Sequence, residues 1–183
     1  MGNITVWTKQ HKSVAETLEQ KGRYTAKKEI VLNNEEVKLQ IHAYSWLMKA
    51  HPDLENKPCD ADFPVWVSFR KSATMLLSPD TVILELSLDE SIITKLNIMK
   101  WTKINNLAYI PSDSKDERRH RELLSLYGVS DAKACMTNFY PEIRKEVENS
   151  WQRAFDASVD LGNESSYGLI WEIKREWLKN IIR

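Results

Sequence analysis

Glycine and cysteine are scarce in this sequence of 183 residues, which contains five glycines and two cysteines. Five glycines leave little room for a phosphate-binding loop, and neither a Walker loop nor a G-x-G-x-x-G stretch is present. The sequence also lacks G-x-S-x-G and H-E-x-x-H. These absences disfavour the large nucleotide-binding and hydrolase superfamilies, and they leave the chain without a motif that names its chemistry.

The cysteines and histidines do not form the ligand pattern of a metal site. Cys59 and Cys135 are far apart in the sequence and lack metal-ligand spacing. The four histidines also lack the local spacing of a zinc site. They are His11, His42, His51 and His120. We therefore predict a protein that holds no metal.

Long apolar stretches are missing as well. No run approaches the roughly 20 apolar residues that a membrane-spanning helix needs, and no apolar N-terminal segment precedes a cleavage site. Together with the low cysteine count, this pattern predicts a reduced, cytoplasmic protein that does not enter a membrane.

The charges balance, with 26 lysines and arginines against 26 aspartates and glutamates, so no overall field attracts nucleic acid. A nucleic-acid role would therefore need a local patch. The stretch from Lys115 to Glu122 contains three arginines and a histidine at Arg118 to Arg121, but acidic residues interrupt it. A solvated helix face with mixed ion pairs is the favoured interpretation, and an RNA contact through phosphates is the alternative.

The stretch from Ile4 to Tyr24 predicts a strand followed by a helix. A β-branched and aromatic run comes first, and Ser13 with Glu16 three residues later is typical of a capping box at a helix start. Gly22 is placed where a helix commonly ends, because glycine adopts the left-handed conformation at little cost.

Three polar residues, Thr8, Gln10 and His11, lie between this strand and this helix. Polar groups at a strand end beside a helix N-terminus can meet an anionic ligand. We therefore predict that this segment lines a binding site.

The rest of the chain mixes strands and helices without regular alternation. Strands are predicted at Pro64 to Phe69, at Thr81 to Leu88, where leucines alternate with polar residues, and at Tyr167 to Ile173. Helices are predicted from Asn33 or Asn34 to His51, from Ser112 to Tyr127 and from Pro141 to Phe155. This order favours one compact α+β domain over residues 1–183, with a mixed or antiparallel sheet flanked by helices.

Two charged residues at predicted strands, Arg70 and Glu172, are further site candidates. Arg70 follows an apolar strand, where it is either an ordinary surface residue or a bidentate phosphate ligand. Glu172 lies inside the last predicted strand, where it points either into a cleft or, from an edge strand, to solvent.

Several short stretches resemble one protein family. They are V-W-T-K-Q near the start, H-A-Y-S-W-L-M, P-V-W-V, V-I-L-E-L-S-L, S-W-Q-R-A-F-D and the final L-I-W-E-I. As a set, they resemble a bacterial domain of unknown function, family 3841, over nearly the whole chain. This resemblance implies relatives but brings no activity with it.

A more distant resemblance is to the ADP-ribosyltransferase folds of DNA-modifying toxins. Those proteins also open with a strand bearing a polar ligand-binding residue and with a helix that ends in glycine. Later they have an aromatic strand followed by an arginine, here V-W-V-S-F-R-K-S-A-T-M-L, and a catalytic glutamate on a late strand. The resemblance implies an NAD-binding protein of bacterial or phage origin that transfers ADP-ribose to a protein or nucleic-acid target.

The resemblance also implies roles for the candidate residues. Thr8, Gln10 or His11 would hold the nicotinamide ribose region of NAD, and Arg70 would meet the pyrophosphate. Glu172 would be the catalytic carboxylate. These five residues are then expected to line one cleft.

The alternative is a non-catalytic interaction module, such as an antitoxin, an inhibitor or an accessory subunit. The missing motifs favour it, and so do several of the seven tryptophans, because aromatic residues are enriched at protein interfaces, although most of the tryptophans are expected in the core. The sequence indicates neither the target nor the oligomeric state.

Overall fold

The computed structural model describes residues 2–28, 40–74, 76–163 and 165–183. Contacts divide the chain into two compact units. The first comprises Met1–Leu39, His51–Lys95 and Ser166–Arg183, and the second comprises Gln40–Ala50 and Leu96–Ser165. Each unit is assembled from distant stretches of sequence, and the single domain expected over residues 1–183 stays a prediction.

The strands of the described residues form two sheets. They are β1 (Asn3–His11), β2 (Arg23–Tyr24), β3 (Val65–Ser68), β4 (Thr81–Asp89), β5 (Thr94–Asn97), β6 (Ser166–Ile170), β7 (Ile173–Lys174) and β8 (Leu178–Ile182). The main sheet has the order β5-β6-β3-β1-β4-β8, and β2 pairs with β7. β1 is antiparallel to β3 and β4, β6 to β3, and β8 to β4. The predicted α+β class and the antiparallel sheet are confirmed.

The two faces of the main sheet differ in burial. Val6, Thr8 and Leu84 belong to the alternate residues on one face, and each is at most 2% exposed. We call this the buried face. The opposite side, called the open face, carries Trp7, Ser68, Glu85 and Tyr167, of which all but Ser68 are half-buried.

The main sheet is joined weakly in its middle. β1 is paired with β4 along all nine of its residues, and β3 is paired with β6 along all four of its own. In contrast, β1 and β3 share a single ladder pair, Trp7 with Ser68. We call this place the β1–β3 junction. No second ladder pair joins these two described strands.

Helix α1 (Lys12–Lys21) follows β1 directly. His11 is its N-cap residue, because the Nδ1 atom of His11 accepts the Ser13 backbone N–H at 3.2 Å. Ser13 is therefore already inside the helix, and the predicted capping box of Ser13 and Glu16 is wrong. The predicted end is confirmed, since Gly22 has a φ of 72° and its N–H bonds to the Leu18 carbonyl.

The described helices of the second unit are α2 (Ile41–Ala50), α3 (Ile98–Asn105), α4 (Ser114–Tyr127), α5 (Asp131–Met136) and α6 (Pro141–Ser150). The predicted start of the second helix at Asn33 or Asn34 lies outside the described residues. The helix expected from Pro141 begins there, but it becomes a 3₁₀ turn at Trp151–Phe155. Trp151 is fully buried in this unit, and its Nε1 donates to the Ala108 carbonyl at 2.9 Å.

None of the helices in the described ranges is both long and apolar enough to cross a membrane.

Candidate functional site

Thr8 and Gln10, two of the predicted binding residues, are bonded to each other at the buried side of the sheet. Thr8 is 2% exposed, and its hydroxyl accepts the Gln10 Nε2 group at 2.8 Å. Successive strand residues point to opposite faces, so Trp7 and Lys9 lie on the other side of β1. Thr8 therefore has almost no surface that a ligand could touch.

His11 is exposed, and its ring is oriented by the helix that follows it. Its Nδ1 lies 2.8 Å from the Ser13 hydroxyl and accepts the Ser13 N–H. Because Nδ1 serves as the acceptor, the proton of the neutral ring resides on Nε2. His11 thus presents an N–H donor to solvent at the end of β1.

Arg70 and Glu172 lie beyond opposite ends of the ladder that pairs β3 with β6. Ser68 is paired with Tyr167, and Arg70 follows two residues after Ser68. At the other end Val65 is paired with Ile170, and Glu172 follows two residues after Ile170. The expectation that all five candidates line one cleft is therefore wrong in its geometry, since antiparallel strands carry these two side chains in opposite directions.

Glu172 is not inside a continuous strand, as the sequence predicted, but in the break between β6 and β7. One carboxylate oxygen accepts from Arg23 Nε, and the other lies 3.4 Å from Lys174 Nζ. Arg23 also contacts Asp60 at 2.8 Å. Hydrogen bonds to Glu172 and then Asp60 raise the pKa of Arg23, and the Arg23 bond lowers the pKa of Asp60.

A cavity of about 440 Å³ adjoins Glu172. Its aromatic walls are Trp171 and Trp177, and Lys174 lies over the Trp177 ring, 5.3 Å from its centroid. Trp171 is fixed because its Nε1 donates to the Asp53 carbonyl at 2.8 Å. The residues lining this cavity include Glu172 but none of the other four candidates.

Sequence reasoning missed a row of residues that crosses the open face at the β1–β3 junction. Consecutive cross-strand partners on neighbouring strands place these side chains side by side. The row runs through Tyr167, Ser68, Trp7, Glu85 and Asn180. No sequence signal reveals it, because the members come from five strands whose register is set only by folding.

Two polar groups of this row lack a partner among the described residues. The Nε1 atom of Trp7 is buried and makes no hydrogen bond there. The Glu85 side chain is half-buried, and no ion pair or hydrogen bond joins its carboxylate to the described part of the chain. Buried donors are nearly always satisfied in proteins, so the Trp7 N–H together with the neighbouring Glu85 carboxylate makes this row a candidate ligand site.

The second unit holds a charged network around His120. The Nδ1 atom of His120 lies 2.9 Å from Glu146, and its Nε2 lies 2.8 Å from Asp131. Arg119 contacts Asp116 at 3.0 Å and Glu146 at 2.6 Å. These contacts confirm the mixed ion pairs expected for Arg118 to Arg121, but His120 is 3% exposed and so does not belong to a solvated face.

A cavity of about 680 Å³ lies beside this network, between α4 and α6. Asp116, Arg119 and Glu146 form its polar wall, and Tyr127 and Phe139 form its aromatic rim. Burial would raise the pKa of Asp116, but hydrogen bonds from Ser112, Tyr109 and Arg119 lower it to about 2. The charges of the polar wall are thus already paired with one another.

No group of three or more histidine, cysteine, aspartate or glutamate side chains is placed to hold a metal ion within the described ranges. No curated protein and no solved structure is matched by this sequence. One protein family is matched, over residues 5–179, which is nearly the whole chain. The chain belongs to this family, which is described as a domain of unknown function (DUF3841).

Proposed function

We propose that this protein binds NAD on the open face at the β1–β3 junction and transfers ADP-ribose to a protein or nucleic-acid target. The observation that carries the proposal is the unpartnered Nε1 of Trp7, which lies in one row with Ser68, Glu85 and Tyr167. The indole ring of Trp7 is half-buried and offers a stacking surface. Of the groups beside it, the Glu85 carboxylate is half-buried and can accept from a ribose hydroxyl, whereas Ser68 is only 7% exposed.

The binding residues expected from the sequence lie on both sides of the Trp7–Ser68 pair. His11 is four residues beyond Trp7 along β1, and Arg70 is two residues beyond Ser68 in the opposite direction. NAD is elongated, so its binding residues need not be neighbours. In this arrangement Thr8 and Gln10 act from the buried face, where their mutual hydrogen bond fixes the strand end that carries His11.

Arg70 is suited to the pyrophosphate of the ligand. It is exposed, and no ion pair joins it to a described residue. Arg23 and Arg119, in contrast, are already bonded to carboxylates. A guanidinium group without a partner can bind a phosphate through two parallel hydrogen bonds, which is a strong and orienting contact.

The reaction needs a carboxylate near the glycosidic carbon. Breaking the bond to nicotinamide develops positive charge on the ribose, and a nearby carboxylate lowers the barrier by stabilising that charge. Glu172 is the candidate for this role that follows from the sequence. Its carboxylate contacts Arg23 and Lys174.

Calorimetric titration of the full chain with NAD tests the proposal. We expect saturable binding, and we expect Arg70→Ala to weaken it about tenfold, since a hydrogen-bonded charge pair contributes about 1.5 kcal/mol or more. Arg118→Ala is the matched control, because that exposed arginine lies outside the proposed site. Absence of binding at millimolar NAD would overturn the proposal, and labelled NAD with cell extract then identifies the acceptor.

A second candidate function, the non-catalytic interaction module, is favoured by the rim of the larger cavity. Phe139 is 84% exposed and Tyr127 is 55% exposed, and both line that cavity. None of the seven tryptophans is exposed, so the expected aromatic surface is made of other residues. A stoichiometric partner that is lost with Phe139→Ser, and retained with Leu54→Ser, would support the module. A partner that binds both variants equally would contradict it.

A further inference from the structure

We infer, resting on the proposed NAD binding, that Glu85 is the catalytic carboxylate of this site and that Glu172 is not. Glu85 is the cross-strand partner of Trp7, so the two side chains leave neighbouring strands on the same face. Directly opposed residues have β-carbons about 5 Å apart. A ring stacked on Trp7 is therefore within reach of the Glu85 carboxylate.

The two carboxylates differ in their freedom to meet a ligand. Both oxygens of Glu172 are occupied, one by Arg23 and the other by Lys174. The Glu85 side chain is half-buried, and its carboxylate has no ionic or hydrogen-bonding partner among the described residues. A carboxylate already neutralised by two cations stabilises a developing positive charge poorly, whereas a carboxylate without a counter-ion stabilises it strongly.

The position of Glu85 in the sheet argues against a structural explanation. Charged residues on edge strands often protect a sheet from pairing with another chain. β4, however, lies between β1 and β8, so Glu85 is on an interior strand. Within the described part of the chain it also has no salt bridge of the kind that joins Glu90 to Lys95 at 2.6 Å. Neither edge protection nor an ion pair to a described residue therefore explains this half-buried carboxylate.

The other residues of the row indicate how the ligand would be oriented. Ser68 and Tyr167 lie on the other side of Trp7, one and two strands away from it. Neighbouring strands are about 4.8 Å apart, so the row from Glu85 to Tyr167 spans about 14 Å. With the nicotinamide ring over Trp7, the ribose would face Glu85 on the β4 side, since Ser68 on the β3 side is only 7% exposed.

In the reaction, the bond between the nicotinamide nitrogen and the ribose C1′ breaks. Its electron pair passes to that nitrogen and neutralises the pyridinium charge, while C1′ becomes cationic beside the Glu85 carboxylate. An acceptor hydroxyl, or water in the simplest case, then forms a bond to C1′. Its proton passes to Glu85 and from there to solvent. The products are nicotinamide and the ADP-ribosylated acceptor or free ADP-ribose.

The test compares Glu85→Gln with Glu172→Gln in the full chain, with Glu90→Gln as a control for removal of a nearby carboxylate. NAD affinity is measured by calorimetry, and nicotinamide release is measured by chromatography. We expect Glu85→Gln to bind NAD within about threefold of the unaltered protein and to release nicotinamide about 100-fold more slowly, the effect of losing one electrostatic stabiliser. Glu90→Gln is expected to retain the rate, and a similar loss of rate in Glu172→Gln but not in Glu85→Gln would return the catalytic role to Glu172.

The outcomes separate this inference from the proposed function. If the unaltered protein binds NAD but Glu85→Gln releases nicotinamide at the full rate, the assignment of Glu85 is wrong and NAD binding stands. The assignment is equally wrong if the unaltered protein binds NAD without cleaving it. If the unaltered protein does not bind NAD, both proposals fail. Equal unfolding midpoints of the variants show that a lost rate does not reflect a lost fold.

Discussion

The aromatic ring of Tyr109 stacks on the imidazole of His120, with ring centroids 3.8 Å apart and planes inclined by 10°. Both nitrogens of the imidazole face carboxylates, Asp131 at 2.8 Å and Glu146 at 2.9 Å. Carboxylates facing both nitrogens favour a ring with two N–H donors, which is the imidazolium form. Burial alone would lower the pKa of His120, but the bonds to Asp131 and Glu146 raise it above its usual value.

This arrangement predicts that the second unit loses stability as the pH rises. The native state binds a proton at His120 that the unfolded chain releases at about pH 6.5, so the stabilisation is complete below that pH. It is lost as the pH rises through the raised pKa of the folded state. Urea unfolding of the unaltered protein and of His120→Gln across pH 5 to 9 measures the difference.

The expected result is a gap between the two proteins that is about 2 kcal/mol at low pH and shrinks at high pH. His51 does not confuse the comparison, because both proteins contain it. Burial lowers the pKa of His51 to about 4, which makes stability rise with pH between about 4 and 6.5. A gap that is independent of pH would show that His120 is neutral in the folded protein.

Local signals in the sequence predicted the secondary structure well where neighbouring residues decide it. The alternation from Thr81 to Leu88 gave the strand that the structure extends to Asp89, and Gly22 ends α1 as expected. The helix start was wrong because the His11 ring serves as the capping acceptor, two residues earlier than the hydroxyl of Ser13. Whether the His11 ring or the Ser13 hydroxyl caps the helix depends on the orientation of the imidazole, and a sequence pattern does not contain that orientation.

The candidate site was harder to predict because it depends on register. Thr8 and Trp7 are adjacent in sequence, yet one is on the buried face and the other on the open face. A shift of one residue exchanges the two faces, and no local pattern decides which polar residue meets a ligand. Glu85 was interpreted only as the polar position of an alternating strand. Its importance follows from Trp7, which is 78 positions away in sequence and opposite in space.

The end of α1 gives a second prediction, since Gly22 has a φ of 72° and a side chain there would meet no nearby atom. The cost of a substitution is therefore conformational and not steric. We expect Gly22→Ala to lower the free energy of unfolding by about 1 kcal/mol, and Gly22→Asn by less, because asparagine tolerates the left-handed region. Chemical denaturation measures both, and equal losses would contradict this explanation.

Gly168 gives a third prediction, with a different physical cause. A β-carbon built there lies 2.6 Å from Cγ2 of both Ile93 and Val67. Because these branched side chains are buried, they have little room to move away. We expect Gly168→Ala to destabilise the protein by about 1–3 kcal/mol through overpacking. Gly2→Ala is the matched control, since nothing lies within 4 Å of a β-carbon at that position. Equal stability of the two variants would show that β6 shifts to admit the methyl group.

The contact between Arg23 and Glu172 gives the last prediction. Arg23 belongs to β2, and Glu172 lies in the break between β6 and β7, so the contact joins these parts of the first unit. Glu172 has a side chain that is 19% exposed, whereas that of Arg23 is 40% exposed. Arg23→Met leaves the less exposed carboxylate with Lys174 alone, at 3.4 Å. We expect a loss of about 1–2 kcal/mol, limited by the solvent that reaches the arginine.

Removing the charge of Glu172 should restore part of that stability. The double variant with Arg23→Met and Glu172→Gln has no carboxylate left without its arginine partner. Its loss of stability should therefore be smaller than the sum of the losses of the two single variants. A double-mutant cycle by urea unfolding at neutral pH measures this coupling, which we expect to be about 1 kcal/mol. Effects that add within about 0.3 kcal/mol would mean that solvent screens the pair. Glu172 would then be free to meet a ligand, and the preference for Glu85 over Glu172 as the catalytic carboxylate would lose one of its supports.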